Sequence, residues 1–153
     1  MPDFNADAYS RTVDLFTGAR NARVSLPSLK MQLSDCTSMI GSPRIDGMPK
    51  PKNPGNVTEA KIIGNMGALS LMERRIDEYQ RLIFDAERVI ESMEQFGEGD
   101  GGDAAFLRYY YLMGMTQAEA ARRAGYSENY RKEKASIALV HASFAVERLG
   151  IFE

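Results

Sequence analysis

Apolar side chains recur every seven residues between positions 62 and 93, and this heptad repeat constrains the fold more than any other feature. One series consists of Ile62, Leu69, Ile76, Ile83 and Ile90, and a second consists of Met72, Tyr79, Ala86 and Met93. Together the two series form the apolar seam of a long helix that packs against another helix. Leu82 and Val89 widen this seam, which favours more than one packing partner.

A matching seam precedes this repeat in the chain. Its two series, which share one register, are Leu15, Ala22, Leu29 and Cys36, and Thr12, Ala19, Leu26, Leu33 and Ile40. Pro27 lies within the segment and removes one helical hydrogen bond, because proline has no amide hydrogen. Ser25 has a side chain suited to capping a new helix. The segment therefore predicts either one kinked helix or two collinear helices.

The two seams are separated by residues 41–56, which contain four prolines and three glycines. This composition predicts a connector without regular structure. Helices over 7–39 and 58–95 would each be about 50–57 Å long at the usual helical rise. Because the two helices have similar lengths, they favour an antiparallel hairpin.

A glycine-rich segment, FGEGDGGD at residues 96–103, follows the second seam and predicts a flexible hinge. The hinge marks a domain boundary. The expected fold is all-α, with an N-terminal antiparallel hairpin of long helices, a coiled coil, over residues 1–96. A helix-turn-helix domain is expected over residues 103–153.

The first helix after the hinge is expected to be amphipathic. Phe106, Leu107, Tyr110 and Met113 share one helical face, and Gly114 ends the helix. The three consecutive tyrosines in this segment cannot all be buried, so one is expected in the core and the others against the hairpin or a second chain.

Two capped helices are predicted within GMTQAEAARRAGYSENYRKEK, the segment that begins at that glycine. Thr116 is a preferred N-cap residue, and Glu119 three positions later completes a capping box. Gly125 lies where a left-handed residue ends a short helix, and Ser127 can cap a longer helix over residues 128–149. A short helix, a glycine turn and a longer helix form a helix-turn-helix, whose second helix enters the major groove of DNA.

Positive charge is concentrated in this motif, although the formal net charge of the chain is −2. Residues 122–134 contain five basic and two acidic side chains. Asn129 can form two hydrogen bonds with adenine, whereas Arg131 and Lys132 can reach guanine or phosphate. The arginines that end the short helix can hold the phosphate backbone. The residues expected to contact DNA are Thr116, Gln117, Arg122, Arg123, Ser127, Glu128, Asn129, Tyr130, Arg131, Lys132 and Lys134.

Two positions depart from the usual helix-turn-helix pattern, which buries an aliphatic side chain four and seven residues after the cap. Arg131 and Lys134 occupy these positions. Tyr130 is expected to supply the packing instead, which rotates the helix and leaves the choice of base-reading residues open. The alternative interpretation is an ordinary helical hairpin whose arginines are only solvated.

The segment FLRYYYLMGMTQAEAARRAGYS resembles the region-four helix-turn-helix of sigma factors as it occurs in phage transcriptional regulators of the RinA/ArpU type. The connector SPRIDGMPKPKNPGN, which includes Gly47, Met48 and Pro49, is similar to the linker of that group. The resemblance covers most of the chain in matching order. It implies a phage or prophage regulator that binds double-stranded DNA in the host cytoplasm, with RNA polymerase as a partner for the hairpin.

The segment TQAEAARRAGYSENY is also similar to the DNA-recognition segment of phage small terminase subunits. That family binds packaging sites as a ring and stimulates a partner ATPase, the large terminase subunit. Many of its members place the DNA-binding motif before the hairpin, whereas this chain has the reverse order. The packaging hypothesis therefore ranks second. A third hypothesis is an adaptor that contacts only other proteins.

Catalysis, cofactors and metals are not expected. Cys36 is the single cysteine, so no zinc site can be built on cysteines. His141 is the single histidine and is expected to be packed or half-exposed, because no oriented partner is evident.

The chain start lacks a signal-peptide pattern, and no apolar run approaches the ~18 residues of a membrane span. These features predict a cytoplasmic protein.

The last helix is apolar on more than one face. Ile137, His141 and Phe144 are spaced to face the core of a helical head. Other apolar side chains are then expected to stay partly uncovered: Leu139, Val140, Val146, Ile151 and Phe152. Because exposed apolar patches mark interfaces, the sequence predicts a homo-oligomer, in which a dimer would present two reading helices.

Overall fold

All regular elements are helices in the part of the chain that the structure, a computed structural model, describes. That part comprises residues 3–41, 54–97, 99, 101–126 and 131–152, without the side chains of 38–41, 54–65 and 131–132. The elements are α1 (Ala6–Gly41), α2 (Pro54–Phe96), α3 (Gly101–Leu107), a π-helical turn (Arg108–Leu112), α4 (Gln117–Arg123) and α5 (Arg131–Leu149). The all-α prediction is confirmed.

The predicted antiparallel hairpin is also confirmed. The N-terminal part of α1 packs on the C-terminal part of α2, where a Cβ on Gly18 would lie 3.3 Å from Cδ1 of Leu82. Seam residues that are buried are Thr12, Leu15, Ala19 and Ala22 in α1, and Ile76, Ala86, Val89, Ile90 and Met93 in α2. Half-buried seam residues are Leu26, Leu29, Leu33, Cys36, Leu69, Met72, Tyr79, Leu82 and Ile83. Ile40 and Ile62 lie outside the described side chains.

Both long helices accommodate a proline. Helix α1 continues through Pro27, so a second helix capped by Ser25 is not observed. The Pro27 ring is exposed, and solvent can therefore satisfy the carbonyl that its missing amide leaves unbonded. Helix α2 begins at Pro54, inside the predicted connector, because the first helical turn does not need that amide. Residues 42–53 of the connector lie outside the described part of the chain.

Packing divides the chain into two compact units. The first combines Met1–Val24 with Tyr79–Glu153, and the second is Ser25–Glu78. The first unit therefore contains residues 101–152, here called the head, which include α3, α4 and α5, together with the ends of both hairpin helices. This grouping differs from a division at the glycine-rich hinge, and the domains at 1–96 and 103–153 stay sequence-based predictions.

The first unit has one continuous apolar core. Phe16 of α1 is fully buried, and its ring centroid lies 5.3 Å from that of Tyr111. Helix α4 contributes the small buried side chains of Ala120 and Ala121, which allow neighbouring helices to approach closely. Helix α5 packs against α3. The hairpin helices and the head are thus parts of the same core in this unit.

The π-helical turn changes which tyrosine enters the core. Phe106 and Leu107 are fully buried as predicted, but Tyr111 is buried instead of Tyr110, and Met113 is exposed. The amide of Met113 donates a hydrogen bond to the carbonyl of Arg108 at 2.9 Å, five residues back instead of four. The extra residue in this turn rotates the following side chains about the helix axis. The predicted face was therefore wrong beyond Leu107.

Helix α5 presents a different face to the core from the predicted one. Its buried residues are Ala138, Leu139, Ala142, Ser143, Ala145 and Val146. Ile137 is exposed, and His141 and Phe144 are half-buried. Alanines at this face let α5 approach its neighbours closely. The prediction that Leu139 and Val146 stay uncovered was therefore wrong. Val140, Ile151 and Phe152 are partly uncovered, as predicted.

Candidate nucleic-acid interface

Thr116 fixes the start of α4. Its backbone is extended, and its side-chain oxygen accepts a hydrogen bond from the amide of Glu119 at 3.2 Å. The predicted N-cap is therefore confirmed. Only this half of the capping box forms among the described contacts, because the Glu119 carboxylate instead lies 3.9 Å from the Arg122 guanidinium and 3.5 Å from that of Arg123.

A glycine turn ends α4 as predicted. Gly125 has a φ of +86°, which favours glycine because a side chain is strained in the left-handed region. Its amide donates to the carbonyl of Arg122 at 3.2 Å, and the amide of Tyr126 donates to the carbonyl of Ala121 at 2.8 Å. This pair of bonds is the Schellman motif, which satisfies carbonyl groups at a helix end and turns the chain sharply.

A buried polar cluster connects the turn to two other helices. Asp103 of α3 is 1% exposed. Its carboxylate accepts a hydrogen bond from the Tyr126 hydroxyl, and its Oδ2 lies 2.7 Å from Nδ1 of His141 in α5. The cluster thus joins α3, the turn after α4, and α5. His141 is half-buried as expected, but the expectation that it has no oriented partner was wrong.

Gly99 borders this cluster. It has a φ of +71°, and a Cβ added to it would overlap Oδ2 of Asp103 and lie 2.5 Å from Nδ1 of His141. Position 99 therefore requires glycine for two reasons, a left-handed backbone and a close approach to the buried pair. Composition alone predicted a flexible hinge here, because the sequence does not show that Asp103 is buried.

Two arginines at the end of α4 are available to a ligand. The side chain of Arg122 is 73% exposed and that of Arg123 is 53% exposed. Their ion pairs with Glu119 are at the surface, where such pairs contribute little to stability. Both guanidinium groups can therefore exchange Glu119 for a phosphate group at small cost. Thr116 is exposed beside the start of the same helix, and Gln117 is half-buried.

Three of the remaining predicted contact residues, Arg131, Lys132 and Lys134, lie at the start of α5. Lys134 is half-buried, with its ammonium 5.8 Å from the ring centroid of Tyr126. Arg131 and Lys132 lie in the first turn of α5, but their side chains are outside the described set. The residues Ser127, Glu128, Asn129 and Tyr130 are not described either. Their roles, and a helix start at Glu128, stay predictions.

Two arginines of α1 lie beside the same motif, and the sequence analysis did not select them. The Arg20 guanidinium lies 4.0 Å from the ring centroid of Tyr110. Arg23 covers Gly114, so that a Cβ on this glycine would overlap Nη1 of the arginine. Heptad spacing locates both arginines on α1, but it does not indicate which part of the head they approach.

Other kinds of site find little support. No group of three or more His, Cys, Asp or Glu side chains in the described residues could hold a metal ion. A cleft of about 350 Å³ between the start of α1 and the end of α5 is lined in part by Asn5, Arg11 and Glu147, but by no residue of the candidate interface. Among the described helices, none is both long enough and apolar enough to cross a bilayer.

Comparisons of the chain with protein-family models, with curated proteins and with solved structures find no match.

Proposed function

We propose that this protein binds double-stranded DNA in a sequence-specific manner through the helix-turn-helix formed by α4, the Gly125 turn and α5. The observation that carries the proposal is the combination of a fixed turn with exposed cations. Thr116 and Gly125 define both ends of α4, and the Arg122 and Arg123 side chains next to the turn are largely exposed. A helix-turn-helix needs both features in order to present its second helix to a groove.

The proposed contacts fall into two kinds. Arg122 and Arg123 bind phosphate groups, which positions the protein without reading sequence. The start of α5 and the residues just before it enter the major groove, where Asn129, Arg131 and Lys132 provide the donors and acceptors that distinguish base pairs. The Asp103 cluster supports this arrangement, because it ties α5 and the turn to α3.

The biological role that we propose is transcriptional regulation in a phage or prophage, in the bacterial cytoplasm. The resemblance of residues 106–127 to the RinA/ArpU type favours this role. In it, a homodimer presents two reading helices, and the hairpin contacts a partner such as RNA polymerase.

A second candidate is a small terminase subunit, which recognises DNA for packaging. The resemblance of TQAEAARRAGYSENY to the recognition segment of that family favours it. The partner would then be a large terminase subunit, and the assembly would be a closed ring.

A third candidate is a protein–protein adaptor without DNA binding. Large apolar side chains exposed on the hairpin helices favour it: Val24, Met31, Met66, Leu71 and Phe84. Such side chains are common at protein interfaces. A regulator can use the same surface for its protein partner, so the exposure alone does not separate the two functions.

The first experiment is a titration of a fluorescent random-sequence duplex at several salt concentrations. DNA binding through phosphate contacts predicts that log K falls linearly with log salt, by about 0.9 for each phosphate neutralised. Absence of binding at low salt would contradict the proposal and favour the adaptor. Selection of bound sequences from a random pool then tests specificity, and recovery of no common sequence would contradict that part.

A further inference from the structure

Arg23 is the starting point for an inference that rests on the proposed function. It is an exposed residue of α1, and its guanidinium lies over Gly114, next to the connection that leads into α4. Gly114 has a φ of +72°, a left-handed backbone conformation that favours glycine. A residue of the hairpin thus reaches the helix-turn-helix at the point where its first helix is about to begin.

The charge of Arg23 is not matched by any neighbour that the structure describes. Within the described part of the chain, this guanidinium forms no ion pair with a carboxylate and no hydrogen bond with a protein acceptor. A guanidinium has five donors, and its planar fork matches phosphate oxygens. Arg23 therefore has its full hydrogen-bonding capacity for an external anion, at a surface position beside Gly114.

Arg20 links this part of α1 to the residues that precede Gly114. It lies one helical turn before Arg23 on α1, and its guanidinium stacks on the Tyr110 ring at 4.0 Å. Tyr110 is itself stacked on the buried Phe106 ring, with centroids 5.8 Å apart. This face of α1 is thereby attached to the π-helical turn that precedes Gly114. The Arg20 guanidinium is thus engaged by a ring of the protein, whereas Arg23, one helical turn later, has no such contact among the described residues.

The location next to α4 indicates which anion Arg23 meets. Gly114 is two residues from Thr116, and two trans peptide units span at most about 7 Å. Arg23 is therefore close to Thr116, and to Gln117 after it, which are residues of the proposed DNA contact set. In a helix-turn-helix complex the first helix crosses the phosphate backbone. An arginine beside the start of that helix is consequently within reach of a backbone phosphate.

We propose that Arg23 binds a phosphate of the DNA backbone beside the start of α4, so that the hairpin helix is part of the DNA interface. The contact is a charge-assisted hydrogen bond between the guanidinium and phosphate oxygens. It positions the head on the duplex without reading sequence. The hairpin then serves in DNA binding as well as in protein contacts.

The test measures the affinity of Arg23→Ala and Arg11→Ala variants for a random duplex at about 50 and 200 mM salt. Arg11→Ala is the matched control, because it removes the same charge from the same helix. Arg11 is also exposed, but it lies near Phe152 and not near α4. Loss of one phosphate contact should reduce the slope of log K against log salt concentration by about 0.9. The ratio of wild-type to Arg23→Ala affinity should therefore be about threefold smaller at about 200 mM than at about 50 mM salt. Arg11→Ala should retain the wild-type slope.

Arg23→Lys separates charge from packing, because lysine also binds phosphate as a point charge. This variant should retain most of the affinity and the wild-type slope. If Arg23→Ala and Arg11→Ala both keep the salt slope of the wild type, the inference about Arg23 is overturned. The proposed function stays intact in that case, provided that the wild-type protein binds the duplex. Equal losses for Arg23→Ala and Arg23→Lys, together with a lower denaturation midpoint, would assign Arg23 a purely structural role. A wild-type protein that does not bind duplex DNA at low salt would overturn the proposed function itself.

Discussion

Asp103 carries the only buried carboxyl group among the described side chains. Burial of an unpaired charge is costly, so such a group persists only where hydrogen-bonding partners surround it. The Tyr126 hydroxyl and the His141 ring supply those partners from the turn and from α5. The polar cluster therefore gives the alanine-rich packing of the head a specific geometry, because its members bond only when α3, the turn and α5 are correctly placed.

Gly99→Ala should destabilise the protein more than Gly97→Ala. Both glycines have a positive φ, of +71° and +66°, and the left-handed backbone alone costs an alanine about 1–2 kcal/mol. At Gly97 the new methyl group meets nothing within 4 Å, whereas at Gly99 it overlaps Asp103. Overpacking of that kind adds about 1–3 kcal/mol. Denaturant midpoints measure the difference, and equal losses for the two variants would contradict the proposed role of Gly99.

The raised pKa of Tyr111 predicts that the protein loses stability in alkaline solution. Burial is the main factor that raises the pKa of Tyr111 to about 12, and the neighbouring Tyr110 adds to it, while Arg20 opposes it. In the unfolded chain the phenol has a pKa near 10. Between pH 10 and pH 12 the unfolded state loses this proton first, so the free energy of unfolding falls as pH rises, by at most about 3 kcal/mol.

The comparison with Tyr111→Phe isolates this effect from the other tyrosines. The variant cannot ionise at position 111, so its free energy of unfolding should fall less than that of the wild type between pH 9 and pH 12. Denaturant titrations at the two pH values provide the measurement. Parallel losses for both proteins would show that Tyr111 is not buried as described.

Helix α4 should contribute to DNA binding through its two exposed arginines. Arg122→Ala combined with Arg123→Ala removes two proposed phosphate contacts, which predicts a salt slope smaller by about 1.8. Arg74→Ala combined with Arg75→Ala is the control, since it removes the same charge from two consecutive exposed arginines on α2. Anisotropy titrations at several salt concentrations compare the variants. An equal reduction in both would indicate a general effect of net charge rather than contact at α4.

The long helices could be predicted from the sequence because a seven-residue repeat over four heptads has one simple solution, a helix against another helix. The ends of α4 were predictable for a similar reason, since Thr116 and Gly125 act through bonds to nearby residues. The π-helical turn was not, because it has no short-range signature in this chain. The Asp103–His141 pair joins residues 38 positions apart, and the sequence between them does not indicate that contact.

The apolar side chains on the surface predict self-association of the whole chain. Ile137 and Phe152 in the head, and Met31, Met66 and Phe84 on the hairpin helices, are at least 40% exposed. Sedimentation equilibrium measures the assembly. A dimer agrees with the regulator, because two heads then present two reading helices to two half-sites. A large closed ring would instead favour the packaging subunit, and a monomer at high concentration would contradict self-association.

The proposed function depends on the cationic front of α5 meeting a DNA duplex. Its most direct test is the affinity of Arg131→Ala combined with Lys132→Ala for a random duplex at low salt, beside the wild type and the Arg74→Ala/Arg75→Ala control. Loss of groove and phosphate contacts predicts a fall of about tenfold or more in affinity, with helicity by circular dichroism unchanged. The control should bind like the wild type. Wild-type affinity in the Arg131→Ala/Lys132→Ala variant would contradict the proposal that the cationic start of α5 meets the duplex.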